Sequence, residues 1–426
     1  MVLNSPSLAT QRLERDLYGS QSALTSDSKR QPPRRVAIVH DWFDTLGGAE
    51  RVARELIVCF PDADVFAIVD MLSDENRGLV CGKKVYTTFI QNLPGARKHF
   101  RRYLPLMPIA IEQFDLSDYD LVISSSWAVA KGVITGPDQL HVAYVHTPIR
   151  YAWDQQHHYL KLERLDRGIR GVVARLALHW IRLWDLRTVN NVDVWLANSR
   201  TVKRRIRKTY GRNAEVLYPP VPVDEFPFTT DKATYYFTCS RLVRYKRVDL
   251  MVDAFLSRPN SELVIAGDGP ELSALKERAG GATNIRFLGH RPDSEVRELM
   301  RNARAFVFAA NEDLGIVPIE AQACGTPVIA FGQGGALETV RGLGADRPTG
   351  CFFDRQTPAS LLEAIDRFEN LAVPIAPEHC RANASRFTSE RFREQLHKLV
   401  SRHWNSFDAA VVSCIENDPF VPTKPL

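Results

Sequence analysis

At 426 residues the chain is too long for one compact core and suits two domains of ordinary size. Hydrophobic residues make up 45% and charged residues 25%, the balance of a soluble globular protein, and a net charge of +5 is too small at this length to argue for a nucleic-acid partner. The seven cysteines are dispersed without a C-x-x-C pair, which fits reduced thiols in a cytosolic protein better than a disulfide framework, and no apolar run is long enough to read as a transmembrane helix.

Residues 1–34 are polar, lack an apolar signal core and read as a disordered lead-in. Val36 to Val39 is a short β-branched run, followed by Gly47-Gly48 and an amphipathic stretch from Ala49 to Phe60: strand, glycine loop, helix. Val65 to Val69, Leu121 to Ser124 and Val142 to Val145 are further strand candidates, uninterrupted as parallel strands buried on both faces are. Pro219-Pro220-Val221-Pro222 fits neither helix nor sheet and reads as the connection between a first domain over 35–218 and a second over 219–388. In the second, strands at Tyr235 to Cys239, Leu263 to Ala266, Ile285 to Leu288, Ala305 to Phe308 and Val328 to Phe331 alternate with helices such as Leu272 to Arg278 and Glu295 to Asn302. Such alternation predicts an α/β protein of two doubly wound, Rossmann-like domains facing a cleft. Residues 389–408 read as an amphipathic C-terminal helix that can return to the N-terminal domain, and 409–426 as a tail.

The stretch from Phe308 to Ala330 is the most informative. Glu312 falls in the loop after a strand, Gly315 permits a tight backbone path, Pro318 fits an early helix position and Gly325 with Pro327 ends the helix. A loop-helix junction at the carboxyl edge of a parallel sheet can offer N–H donors and a helix dipole to phosphate, while Glu312 and Glu320 accept hydroxyls beside it. A solvated loop acid and a helix-start acid would also produce this spacing.

With its flanking residues, the stretch resembles the E-x7-E signature of glycosyltransferase family 4, which has the GT-B fold. Other motifs follow in the family's order: Ser240-Arg241-Leu242 with Lys246, Ile265-Ala266-Gly267-Asp268-Gly269-Pro270, Phe287-Leu288-Gly289-His290, and Tyr144-Val145-His146-Thr147-Pro148-Ile149-Arg150 in the first domain. The resemblance covers roughly Arg35 to Val400 and implies a retaining hexosyltransferase using a nucleotide-sugar donor without a metal or other cofactor. It assigns Arg241 and Lys246 to the donor diphosphate, Glu312 to the transferred sugar and Glu320 to the ribose. Gly267, Gly289 and His290 fall near the nucleotide, Gly315 and Ile316 offer backbone N–H groups, and Gly47, Gly48 and Glu50 match the glycine-rich first loop. His146 is expected at the donor sugar or the reacting centre. A lone histidine after a strand is otherwise a satisfied core residue, and Arg241 and Lys246 are otherwise a solvated basic turn.

Arg97, Lys98, Arg101 and Arg102 are interleaved with aromatic and aliphatic residues, and Arg164 to Arg187 repeats the pattern. Ordinary helices with one solvated face look the same, but related enzymes often sit on the inner leaflet and glycosylate lipid-linked acceptors. The expectation is a cytoplasmic enzyme, peripheral on the inner face of the plasma membrane, that acts on a polyprenyl-diphosphate-linked saccharide in bacterial surface polysaccharide synthesis. The run from Asp115 to Gly132 resembles mannosyltransferase-like members and favours GDP-mannose. A UDP-glucose-dependent transferase of the same fold and an inactive nucleotide-sugar-binding scaffold are the alternatives.

Overall fold

A computed structural model describes residues 32–44 and 47–416; the lead-in through residue 31 and the last ten residues of the tail lie outside the described residues. The first sheet is formed by β1 (Val36–His40), β2 (Asp64–Ala67), β3 (Val85–Thr87), β4 (Leu121–Ser126), β5 (Leu140–Val145), β6 (Val194–Ala197) and β7 (Glu215–Val216), all parallel, in the order β3-β2-β1-β4-β5-β6-β7. Its helices are α1 (Gly48–Cys59), the short α2 (Ala96–His99) and α3 (Met107–Ile111), α4 (Gln156–Leu162), α5 (Gly168–Arg187) and α6 (Arg200–Tyr210). Every residue of β4 and β5 is buried, as strands covered on both faces must be. Two of the polar residues among them pair with each other: the Ser124 hydroxyl and His141 Nε2 lie 2.8 Å apart.

The second sheet, again all parallel, runs β10-β9-β8-β11-β12-β13 and contains β8 (Tyr236–Cys239), β9 (Leu263–Ala266), β10 (Ile285–Gly289), β11 (Ala305–Phe308), β12 (Val328–Phe331) and β13 (Gly350–Phe353). With it go α7 (Val248–Leu256), α8 (Leu272–Ala279), α9 (Asp293–Asn302), α10 (Ile316–Ala323), α11 (Ala336–Thr339), α12 (Pro358–Glu369) and α13 (Pro377–Ala384). The last helix, α14 (Ser389–Glu416), continues through residues 409–416, which the sequence reading places in a tail. Near its start Arg393 pairs with Glu55 of α1 at 3.2 Å, and Phe392 meets Tyr144 of β5 edge to face, so the first turn of the helix lies on the first sheet's layer.

Strand order locates the site. In each sheet the order reverses once, between β1 and β4 and between β8 and β11. At such a switch point the flanking loops diverge and leave a crevice at the carboxyl ends of the strands, where ligands of open α/β sheets bind. The loops at those four strand ends carry residues 41–44 with 47–48, 127–131, 240–246 and 311–315.

One buried network fixes the frame around the first crevice. Lys131 Nζ lies 2.6 Å from Asp185 Oδ1 and donates to the Thr188 hydroxyl at 2.8 Å. The other Asp185 oxygen accepts from Trp153 Nε1 at 2.7 Å and the Tyr210 hydroxyl at 2.9 Å. A charge this deep persists only with its hydrogen bonds satisfied, and here they join α5, α6 and the loops after β4 and β5.

Candidate active site

After β8 the chain turns through Ser240 to Lys246 and lies directly on the loop that follows β9. Leu242 N–H donates to Asp268 C=O at 2.8 Å and Glu271 N–H donates back to Leu242 C=O at 3.1 Å. This contact requires glycine: Gly267 sits at φ +127°, and a Cβ there would lie 1.9 Å from the Ser240 carbonyl oxygen. Gly267 N–H in turn donates to Gly289 C=O at 2.8 Å, which ties in the turn carrying the exposed His290. Lys246 is held by this turn and forms an ion pair with Glu312, from the loop after β11. Burial works against the Lys246 ammonium, but the Glu312 carboxylate outweighs it and raises its pKa above the usual lysine value. Arg241 is exposed, with no side-chain partner among the described residues.

The Glu312 loop is clamped from behind. Gly335 N–H donates to Glu312 C=O at 2.8 Å, and a Cβ on Gly334 would come within 2.4 Å of that same oxygen. Gly315, at φ +80°, begins α10, which leaves the Ile316 end of the helix beside the loop. Glu320 stands one turn further on and pairs with Arg51 of α1 at 2.8 Å.

The first unit approaches this junction through its glycine loop. A Cβ on Gly48 would lie 2.6 Å from Ile316 Cδ1, so the missing side chain permits the contact. The Glu50 side chain folds back towards Gly47; its burial, with Asp44 nearby, pushes its pKa up to about 7. Asp41, wholly buried, accepts the backbone N–H groups of Trp127, Ala128, Val129 and Ala130 at 2.5–2.8 Å. It thereby shapes the loop after β4, and burial raises its pKa to about 6 in spite of those four donors. His146, at the end of β5, places Nε2 2.9 Å from the Ser125 hydroxyl and packs edge-on against Trp127 and Tyr144. Burial lowers its pKa to about 3, so the ring is neutral at physiological pH.

Sequence reasoning passed over several groups that meet here. Asp313, next to Glu312, receives Arg205 of α6 at 2.5 Å and lies 3.7 Å from Arg150. Arg205 also reaches Asp154 at 3.2 Å and the Thr147 hydroxyl at 3.1 Å. Glu338 of α11 accepts from the first N–H groups of α6, at Arg200 and Thr201, and from the Tyr218 hydroxyl at 3.0 Å. Arg150 and Asp313 stand inside motifs quoted above, which is the signal that could have found them; Arg51, Arg205 and Glu338 carry none. Arg97 and Lys98 lie exposed on α2, with Arg101 and Arg102 in the turn after it, where Arg101 pairs with Asp44 at 2.5 Å and lies over the Phe100 ring.

Comparison with known proteins places two family models end to end on the chain: "Glycosyltransferase Family 4" over residues 46–225 and "Glycosyl transferases group 1" over residues 224–387. A GDP-mannose-dependent monoacylated alpha-(1-6)-phosphatidylinositol monomannoside mannosyltransferase of Corynebacterium glutamicum is 33% identical over 178 residues, 35% of this chain and 47% of that one. The match thus spans about half the length of that relative. A D-inositol 3-phosphate glycosyltransferase of Corynebacterium jeikeium is 28% identical over 316 residues, 66% of this chain and 72% of that one. Among solved structures, Anabaena Alr3699/HepE in complex with UDP superposes with a TM-score of 0.62 at 17% identity, covering 86% of this chain and all of that one, which is a likeness of fold.

Proposed function

The chain belongs to glycosyltransferase family 4 and has its GT-B fold, and from that premise we propose that it is a retaining transferase moving mannose from GDP-mannose to a lipid-linked saccharide at an anionic membrane surface. The observation that carries the reading is the Lys246–Glu312 pair: one fixed cation and one carboxylate, from the two loops flanking the β8/β11 switch point.

A departing nucleoside diphosphate accumulates negative charge, and a transferase lowers its barrier by fixing positive charge where that charge develops. Lys246 and the exposed Arg241 supply it, joined by the backbone N–H groups at Gly315 and Ile316. Glu312 exchanges its ammonium partner for sugar hydroxyls as the diphosphate engages Lys246. Glu320 takes the ribose hydroxyls, with Gly267, Gly289 and His290 lining the nucleotide. Gly47 and Gly48 approach the donor from the first unit. Neutral His146 serves as a hydrogen-bond partner for the sugar rather than as an acid. In a front-face displacement the acceptor oxygen bonds to the anomeric carbon on the side the leaving group vacates. The carbon–oxygen bond to phosphate breaks, and the acceptor proton passes to a phosphate oxygen. The protein's share is positioning and electrostatic stabilisation.

Mannose is favoured by the C. glutamicum relative, and an acceptor at a membrane by the surface of α5. That helix exposes Ile169, Val172, Val173, Leu176, Trp180 and Leu183, with exposed arginines at 167, 170, 175 and 187 among them. Apolar residues rimmed by arginine suit the boundary between anionic headgroups and acyl chains. Arg97, Lys98, Arg101 and Arg102 add charge to the same purpose. No helix among the described residues is long and apolar enough to cross a membrane.

Calorimetry in EDTA with GDP-mannose, UDP-glucose and UDP-N-acetylglucosamine tests the donor. Preferential binding of GDP-mannose that disappears in Lys246→Ala is expected; preference for a uridine donor would overturn the mannose assignment, and no binding to any would leave the scaffold reading.

A further inference from the structure

Helix α6 and the turn after it carry Arg200, Lys203, Arg204, Arg207 and Arg212, which together line a groove of about 410 Å³. Ala214 and Val216, leading into and within the edge strand β7, form part of its wall. We propose that this groove is a second anion site, outside the donor loops, that takes a ligand bearing two or more phosphate charges.

The argument begins with pairing. Many arginines elsewhere in the molecule are committed to carboxylates, although Arg241 is not, and they include Arg205 of the same helix, which serves Asp313 and Asp154. In the groove, the side chains of Arg200, Lys203, Arg204 and Arg207 have no acidic partner among the described residues, and Arg212 meets only the Asn190 amide oxygen, at 2.5 Å.

Spacing sharpens the point. Positions 200, 203, 204 and 207 follow i, i+3, i+4 and i+7, so four cations share one helix face. Like charges at these intervals destabilise a helix, and Arg200 in the first turn also opposes the macrodipole. The backbone is otherwise well terminated, with the Ser199 hydroxyl accepting from Val202 N–H at 3.1 Å and Gly211 closing the far end at φ +68°. An otherwise well-formed helix that keeps an unfavourable charge row, bordering a groove whose volume of about 410 Å³ can hold a diphosphate, is built to meet a polyanion. Arginine's planar fork suits phosphate oxygens in particular.

The test is calorimetric titration of the full chain with inorganic diphosphate, comparing wild type, the triple variant Lys203→Ser/Arg204→Ser/Arg207→Ser, and Lys246→Ala. The expected result is a salt-sensitive site weakened about tenfold or more in the triple variant and retained in Lys246→Ala. Donor-nucleotide binding and a melting temperature at or above wild type should persist in the triple variant, which separates this site from the donor loops and from misfolding. Diphosphate binding identical in wild type and triple variant, or absent at millimolar concentration, would overturn the proposal. So would α6-dependent binding of a single-stranded oligonucleotide without binding of diphosphate. Phosphatidylglycerol vesicles, set against phosphatidylcholine, identify the source: parallel loss of vesicle binding in the triple variant assigns the groove to lipid headgroups, and loss of diphosphate alone to a soluble phosphate ligand.

Discussion

Arg51 and Glu320 form an ion pair 2.8 Å long that joins α1, beside the first switch point, to the second turn of α10. Both side chains are mostly shielded, so the pair is worth more than a surface bridge and each charge depends on the other. If Glu320 takes the donor ribose, Arg51 must be displaced first. Arg51→Gln is therefore expected to tighten nucleotide-sugar binding, by roughly three- to tenfold for a pair of about 1 kcal/mol. Glu320→Gln should weaken it. Weaker donor binding in Arg51→Gln would show instead that the guanidinium itself contacts the donor.

The Lys246–Glu312 pair yields a second prediction. Removing either partner leaves the other charge partly buried and alone, which costs stability as well as function. Glu312→Gln and Lys246→Met should each lower kcat by about 100-fold or more, the scale seen when one preorganised electrostatic contact is lost. Thermal unfolding should separate the two effects, with the double variant Glu312→Gln/Lys246→Met more stable than Lys246→Met alone. Wild-type turnover in either single variant would remove that residue from the reacting centre.

Glu50 sets a pH dependence. Its pKa is raised from the usual 4.5 to about 7, first by burial and then by Asp44, so the folded state holds this proton more tightly than the unfolded chain. The stabilising contribution is complete below pH 4.5 and is lost as pH rises to about 7, amounting to about 3 kcal/mol. Glu50→Gln should match wild type near pH 4.5 and exceed it in melting temperature at pH 8. Equal melting curves at pH 8 would place the carboxylate in a solvated setting.

Lys131 and Asp185 test the frame rather than the chemistry. Lys131→Met leaves a wholly buried carboxylate with only the Trp153 and Tyr210 donors, and is expected to cost about 3 kcal/mol in denaturant titrations. Because Asp185 also holds Trp153, Asp185→Asn should weaken donor binding as well, through displacement of the segment after His146.

Much of this arrangement was legible because it is local. The strand ends, the glycines and the carboxylate spacing from Glu312 to Glu320 are short-range features, and β9, β11 and β12 have the bounds their apolar runs predict. Of the strands left out, β7 has two residues, β3 is exposed at its centre and β13 begins with glycine, all weak local signals, whereas β6 is a wholly buried apolar run that the sequence reading passed over. Arg51 meets Glu320 across 269 positions and Arg205 meets Asp313 across 108, so nothing near either arginine names its partner. His146 was expected at the donor sugar or the reacting centre; what the structure adds is a half-buried ring, neutral and beside the Ser125 hydroxyl.

The two glycines of the nucleotide loops separate backbone freedom from space. Gly267 and Gly289 both have positive φ, +127° and +70°, but a Cβ on Gly267 would strike the Ser240 carbonyl at 1.9 Å, whereas nothing lies within 4 Å of one on Gly289. Gly289→Ala therefore meets only the backbone penalty, about 1 kcal/mol. Gly267→Ala has no neighbour that can yield, because the obstacle is main chain held by the Ser240 N–H bond to Ala266 C=O at 3.2 Å. The β8 loop must move, and it carries Arg241 and Lys246. Gly267→Ala is expected to lose about 3 kcal/mol of stability and raise the donor Kd by at least tenfold, against less than about threefold for Gly289→Ala. Equal donor affinities in the two variants, measured by calorimetry, would mean that the contact between the β8 and β9 loops does not set the position of Lys246.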